Sequence, residues 1–120
     1  MKPHILLAIR PSERQFFELV LTNEYAIEWL QSLDDVLALV NEQWPQVALV
    51  DEDFDGPDTG WSLVKMIRET HAEMKVILLT RGDYYQVYDL HSGLTQKVDW
   101  IMHYPISDVQ VLSEIRRRLA

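Results

Sequence analysis

Apolar runs of strand length alternate with stretches of helical period along the whole of this 120-residue chain, and that alternation leaves few folds open. The runs are His4–Ile9, Tyr25–Trp29, Gln46–Val50, Lys75–Thr80 and Val98–Met102. Between them the spacing predicts helices. Pro11 and Ser12 open the first, with Ser12 and Gln15 spaced as a capping box and Phe16, Leu19, Val20 and Asn23 on one face. Leu33–Trp44 carries the stripe Leu33, Val36, Leu37 and Val40, and Pro45 stops it. Thr59–His71 turns Leu63, Val64 and Ile67 inward, and Tyr84–Leu94 follows with Gly93 near its end. Ser107 and Gln110 repeat the capping-box spacing ahead of Val111, Leu112, Ile115 and Leu119. Five strand–helix units in succession predict a single α/β domain over residues 1–120, its parallel sheet covered by helices on both faces. Right-handed crossovers restrict the topology further.

The bulk properties exclude several function classes. Hydrophobic residues make up 48% and charged residues 25%, as in ordinary soluble domains. There is no cysteine, which removes disulfides and thiolate metal sites and agrees with a cytoplasmic location. No apolar stretch reaches membrane-spanning length, and Met1–Ile5 lacks the apolar core of a signal peptide. A net charge of −8 opposes direct nucleic-acid binding. Arg116, Arg117 and Arg118 are the local exception, and a last helical turn is where cations complement the helix dipole.

Open parallel sheets bind ligands beyond the carboxyl ends of their strands. Residues 9–12, 51–58, 80–83 and 103–106 should therefore surround one crevice. Its most telling residue is Asp51, a carboxylate closing the run Val47–Val50, with an acidic loop and Gly60 behind it.

On these residues the chain resembles the response-regulator receiver domain. The matching stretches are Pro45–Asp51 leading to Asp58-Thr59-Gly60, Val76–Thr80, and Asp99–Pro105. The resemblance implies a flavodoxin-like (βα)5 three-layer sandwich with strand order 2-1-3-4-5. It implies a phosphoacceptor at Asp51, switch positions at Thr80, Tyr104 and Pro105, and a cis peptide before Pro105. It also implies a role in two-component phosphorelay signalling, as a signalling domain and not an enzyme.

Two further features of the family do not carry over. The acidic pair that would hold Mg²⁺ falls on Ala8 and Ile9, with Arg10 next. The lysine expected before the late proline falls on Tyr104, or on His103 if the corner holds one more residue. Phosphoryl transfer to a carboxylate crowds anionic oxygens and depends on positioning and electrostatic stabilisation. Mg²⁺ wants an octahedron of oxygens, which these substitutions fail to supply. Arg10 could place a fixed positive charge there instead, although strand-end arginines are commonly solvated. Tyr104 is uncharged at neutral pH, and His103 is cationic only in mild acid. The reading is an atypical pseudo-receiver that needs no cofactor.

Two alternatives stand beside it. One is a phosphorylation-competent receiver using Asp51 with metal support from Asp53 or Asp55. The other is a cation-binding α/β domain using the 51–58 loop, whose run Asp51–Gly56 matches the opening of a calcium loop. Ser62 stands where that loop needs a bidentate glutamate, so Asp51, Asp53 and Asp55 would hold a cation only loosely. For partners, the resemblance points to a protein or a second copy on the face formed by the fourth helix, fifth strand and fifth helix. Tyr84, Tyr85, Tyr88, Trp100 and Arg116 are the candidate contacts there, since aromatics with a polar tip favour interfaces. A fused output domain is a further option that the resemblance leaves open.

Overall fold

The computed structural model describes residues 2–35, 45–82 and 92–120. Five strands are present: β1 (His4–Ala8), β2 (Ala26–Trp29), β3 (Val47–Asp51), β4 (Lys75–Thr80) and β5 (Trp100–His103). A 3₁₀ turn at Pro11–Glu13 leads into α1 (Arg14–Leu21). Then come α2 (Thr59–Thr70), the short α3 (Ser92–Thr95) and α4 (Asp108–Leu119). All neighbouring strands pair in parallel, in the order β2-β1-β3-β4-β5, so the expected flavodoxin-like sheet is formed.

The strands are apolar throughout because both faces are covered, and their alternation sorts side chains between two cores. Ile5, Leu7, Val47, Leu49, Ile77 and Leu79 pack with Phe17, Leu21, Val111 and Ile115, on the side of α1 and α4. Leu6, Ala8, Ala48, Val50, Val76 and Leu78 pack with Trp61, Leu63, Val64 and Ile67 of α2. The same alternation settles the end of β3. Asp51 follows Val47 and Leu49 toward the α1/α4 side, and Glu52 falls on the α2 side.

Helix boundaries differ in one place that matters. The Ser12–Gln15 box does not form, because Pro11 starts a 3₁₀ turn and α1 begins only after Glu13, which makes no side-chain cap. The buried stripe is accordingly Phe17 and Leu21, while Leu19 is 72% exposed. The Ser107–Gln110 box does form, with both reciprocal hydrogen bonds, at the start of α4. Strand β5 begins at Trp100, two residues later than the apolar run suggests. Leu33–Asp35 form a helical turn, and the rest of the helix predicted to Trp44 lies outside the described residues. Among the described residues no helix is long and apolar enough to cross a membrane.

Candidate functional site

The crevice forms where β1, β3, β4 and β5 end, as the topology requires. Asp51 lies at its base and is fully buried. β1 stays in register with β3 up to Ala8 opposite Val50, so Ile9 comes level with Asp51 and Arg10 lies one residue beyond it. Ala8 and Ile9 are buried in the two cores and offer no oxygen ligand. Arg10 turns inward. Its Nε donates to Asp51 Oδ2 at 3.0 Å, with the arginine side chain 25% exposed and the aspartate fully enclosed. Of the two readings of Arg10, a fixed charge at the site or a solvated strand end, the geometry has the first: a buried anion beside it outweighs hydration.

Tyr104 completes the enclosure from β5. Its hydroxyl donates to the same Oδ2 at 3.0 Å, so that Tyr104, and not His103, meets Asp51. Burial pushes the phenol well above its ordinary value of 10.0, and the Asp51 charge and the hydrogen bond to it add to that. Tyr104 is accordingly a neutral, permanent donor. The Tyr104–Pro105 peptide is cis, as the resemblance implies. His103 instead places Nδ1 at 2.9 Å from the Gly82 carbonyl. The other Asp51 oxygen, Oδ1, accepts the Asp53 backbone N–H at 3.0 Å.

A second arginine, which the sequence reading missed, caps the mouth. Arg81 Nη1 lies 4.0 Å from Asp51 Oδ2, its guanidinium stacks 4.4 Å from the Tyr104 ring centroid, and Nη2 bonds Glu13 Oε1 at 2.5 Å. Glu13 reaches it from the 3₁₀ turn before α1, across 68 residues of sequence. Local periodicity carries no trace of such a pair.

Thr80, also fully buried, does not face Asp51. Its hydroxyl donates to Glu52 Oε1 at 2.6 Å and accepts the Gly82 N–H at 2.9 Å. Glu52 Oε2 accepts from Trp61 Nε1 at 3.4 Å. In the sequence Glu52 stands only as one carboxylate of the 51–58 loop. The strand alternation was the signal that could have placed it, since residues 76, 78 and 80 share the α2 face with residue 52.

The acidic loop is held by its own hydrogen bonds. Asp53 Oδ1 accepts the Asp58 N–H at 2.9 Å, and Asp55 Oδ2 accepts the Leu33 N–H at 3.2 Å. Asp58 takes a left-handed conformation with φ of 61°. Gly60 is required behind it, because a Cβ there would lie 2.3 Å from the Asp51 carbonyl oxygen and 2.5 Å from Glu52 Cα. Asp51, Asp53 and Asp55 thus serve three different partners. Among the described residues no group of three or more His, Cys, Asp or Glu converges on a point. The magnesium implied by the resemblance does not fit these residues: Asp51 is paired with a cation and its β1 neighbours are apolar.

Of the interface candidates, Tyr84, Tyr85 and Tyr88 lie outside the described residues. Trp100 is 45% exposed on β5. Arg116 bonds Glu24 Oε1 at 2.8 Å beyond the end of α1. Two positions along the helix change the direction, and it is Arg118 that stacks near Trp100, at 5.7 Å.

No protein-family model matches this chain, and no curated protein sequence matches it. Solved structures do. The beryllofluoride-activated receiver domain of DrrB aligns over 99% of this chain and 98% of its own, with a TM-score of 0.79 and 24% identity. The longer DrrB response regulator of Thermotoga maritima, an OmpR/PhoB homolog, is covered over 53% of its length. A CheY-like receiver domain protein from Methanospirillum hungatei JF-1 gives a TM-score of 0.80 at 20% identity, covering 99% and 94% of the two chains. The receiver domain of the sensor histidine kinase PA1611 from Pseudomonas aeruginosa PAO1, with magnesium in its active-site cleft, gives 0.82 at 18% identity, covering 99% and 98%. The chain has the receiver-domain fold.

Proposed function

We propose that this chain is an atypical receiver-type signalling module that works by protein contact and not by magnesium-assisted phosphorylation of Asp51. The convergence of Arg10 Nε and Tyr104 Oη on one carboxylate oxygen, Asp51 Oδ2, carries this reading. The guanidinium supplies from within the chain the positive charge that a buried carboxylate needs. The carboxylate oxygen is thereby paired and buried, and among the described residues no ligand set for a divalent ion surrounds it.

Output then rests on a surface. The half-exposed Trp100, stacked near Arg118, lies on the face where a protein partner or a second copy of the chain would dock. The match to part of the longer DrrB makes a fused output domain a natural arrangement for such a module.

Titration with Mg²⁺ and beryllofluoride, followed by tryptophan fluorescence, tests the proposal. Trp61 is buried and hydrogen-bonded to Glu52, the residue that follows Asp51, so a rearrangement on occupation of the site would change its emission. The expected result is no saturable change. A saturable response abolished in Asp51→Asn would establish a competent receiver, and a micromolar Ca²⁺ response without beryllofluoride would establish a cation-binding loop.

A further inference from the structure

We propose that Glu52 is a positioning residue: its carboxylate is the built-in anionic partner of Thr80, and through Thr80 it holds Gly82 at the exit of β4. This deepens the reading above, in which no phosphoryl group arrives at Asp51 to engage the Thr80 hydroxyl.

The main chain fixes Glu52 from two sides. Its N–H donates to the Leu79 carbonyl of β4 at 3.0 Å, and its own carbonyl accepts the Gly60 N–H of α2 at 2.8 Å. Gly60 can approach this closely only because it lacks a Cβ, which would stand 2.5 Å from Glu52 Cα. A backbone clamped in this way presents the side chain to Thr80 with little entropy left to lose. The carboxylate then accepts two donors, Thr80 Oγ1 at 2.6 Å and Trp61 Nε1 at 3.4 Å. The first of these is short, as a hydrogen bond to an ionised acceptor should be.

Thr80 passes the constraint onward. With its proton committed to Glu52, its oxygen is free to accept, and it takes the Gly82 N–H at 2.9 Å. The Gly82 carbonyl in turn meets His103 Nδ1 at 2.9 Å, at the end of β5. A continuous polar chain therefore runs from α2 through Glu52 and Thr80 to the exit of β4. Asp51 takes no part in it, because the strand alternation turns the two adjacent carboxylates to opposite faces of the sheet.

The Gly82 amide proton reports on this chain directly. Hydrogen exchange at Gly82 is to be measured by NMR in the wild-type protein, Glu52→Ala, Glu52→Gln, Thr80→Val, Thr80→Ser and Asp51→Asn, with global stability followed in parallel by urea unfolding. Glu52→Ala and Thr80→Val should each accelerate Gly82 exchange by about tenfold or more relative to amides of β3. Thr80→Ser should restore protection, because serine keeps the hydroxyl. Glu52→Gln should fall between, since one amide end accepts from Thr80 while the other faces the Trp61 N–H with a second donor. Asp51→Asn should leave Gly82 protected. Unchanged protection in a folded Glu52→Ala protein would overturn the assignment, as would equal loss in Asp51→Asn. Beryllofluoride binding to the wild type would instead overturn the proposed function, and leaves the Glu52 result to be read separately.

Discussion

Replacing Arg10 with methionine keeps most of the apolar stem and removes the charge, which isolates what the guanidinium does for Asp51. At 3.0 Å the attraction between the two charges is about 5.5 kcal/mol for an effective dielectric constant of about 20. Desolvation offsets part of this. Removing one side of a buried pair typically costs about 3–5 kcal/mol, because the partner is left as an uncompensated charge. Two features reduce the figure here. The Arg10 side chain is 25% exposed, and Asp51 retains hydrogen bonds from Tyr104 and Asp53, with Arg81 at 4.0 Å able to approach. We expect Arg10→Met to lose about 2–3 kcal/mol. Asp51→Asn should lose a comparable amount, since it strands the Arg10 guanidinium. The double variant should lose less than the sum by about 2 kcal/mol, because neither charge then remains unpaired. Urea unfolding monitored by tryptophan emission gives all four corners of this cycle. A coupling energy below about 0.5 kcal/mol would refute the claim that Arg10 neutralises Asp51, whatever the single variants do.

Other substitutions separate the remaining parts of the account. Gly60→Ala must push a Cβ into the Asp51 carbonyl and Glu52 Cα, so a loss of about 3 kcal/mol or more is expected in thermal unfolding, and a neutral result would contradict the close approach of α2 to β3. Tyr104→Phe keeps the ring beside Arg81 but removes a donor to a buried carboxylate, for about 1.5–3 kcal/mol. Its pH dependence has a definite sign: a phenol raised above 10.0 in the folded state contributes stability in full below pH 10, and loses it as pH rises past the unfolded value. The wild type should therefore lose stability above pH 10 more steeply than Tyr104→Phe, and parallel profiles would argue against the buried phenol. Ser107→Ala breaks the capping box at the start of α4 and should cost about 1 kcal/mol by chemical denaturation, with no effect expected from Ser12→Ala beyond a few tenths.

The contrast between those two serines shows what was legible in the sequence. Both have glutamine three residues on, yet only Ser107 caps a helix, because Pro11 commits the chain near Ser12 to a 3₁₀ turn first. Strand β4 could be read to the residue, since its apolar run is bounded on both sides. Asp51 could be found because the first carboxylate after an apolar run is conspicuous in one dimension. Arg10 and Tyr104 could be brought near it only through the resemblance, because the separations are set by the sheet order and not by local pattern. Arg81 could not be placed at all, and Glu13 joins it across 68 residues. Glu52 is intermediate: two-residue alternation along β3 and β4 predicts its side, but only the register between the strands places it beside Thr80.

Incubation with acetyl phosphate and magnesium, read by intact-protein mass spectrometry, bears most directly on the central claim that Asp51 is already engaged by Arg10 and Tyr104. An unchanged mass for the folded wild-type chain is the predicted result. Stoichiometric gain of one phosphoryl group, absent from Asp51→Asn, would contradict it.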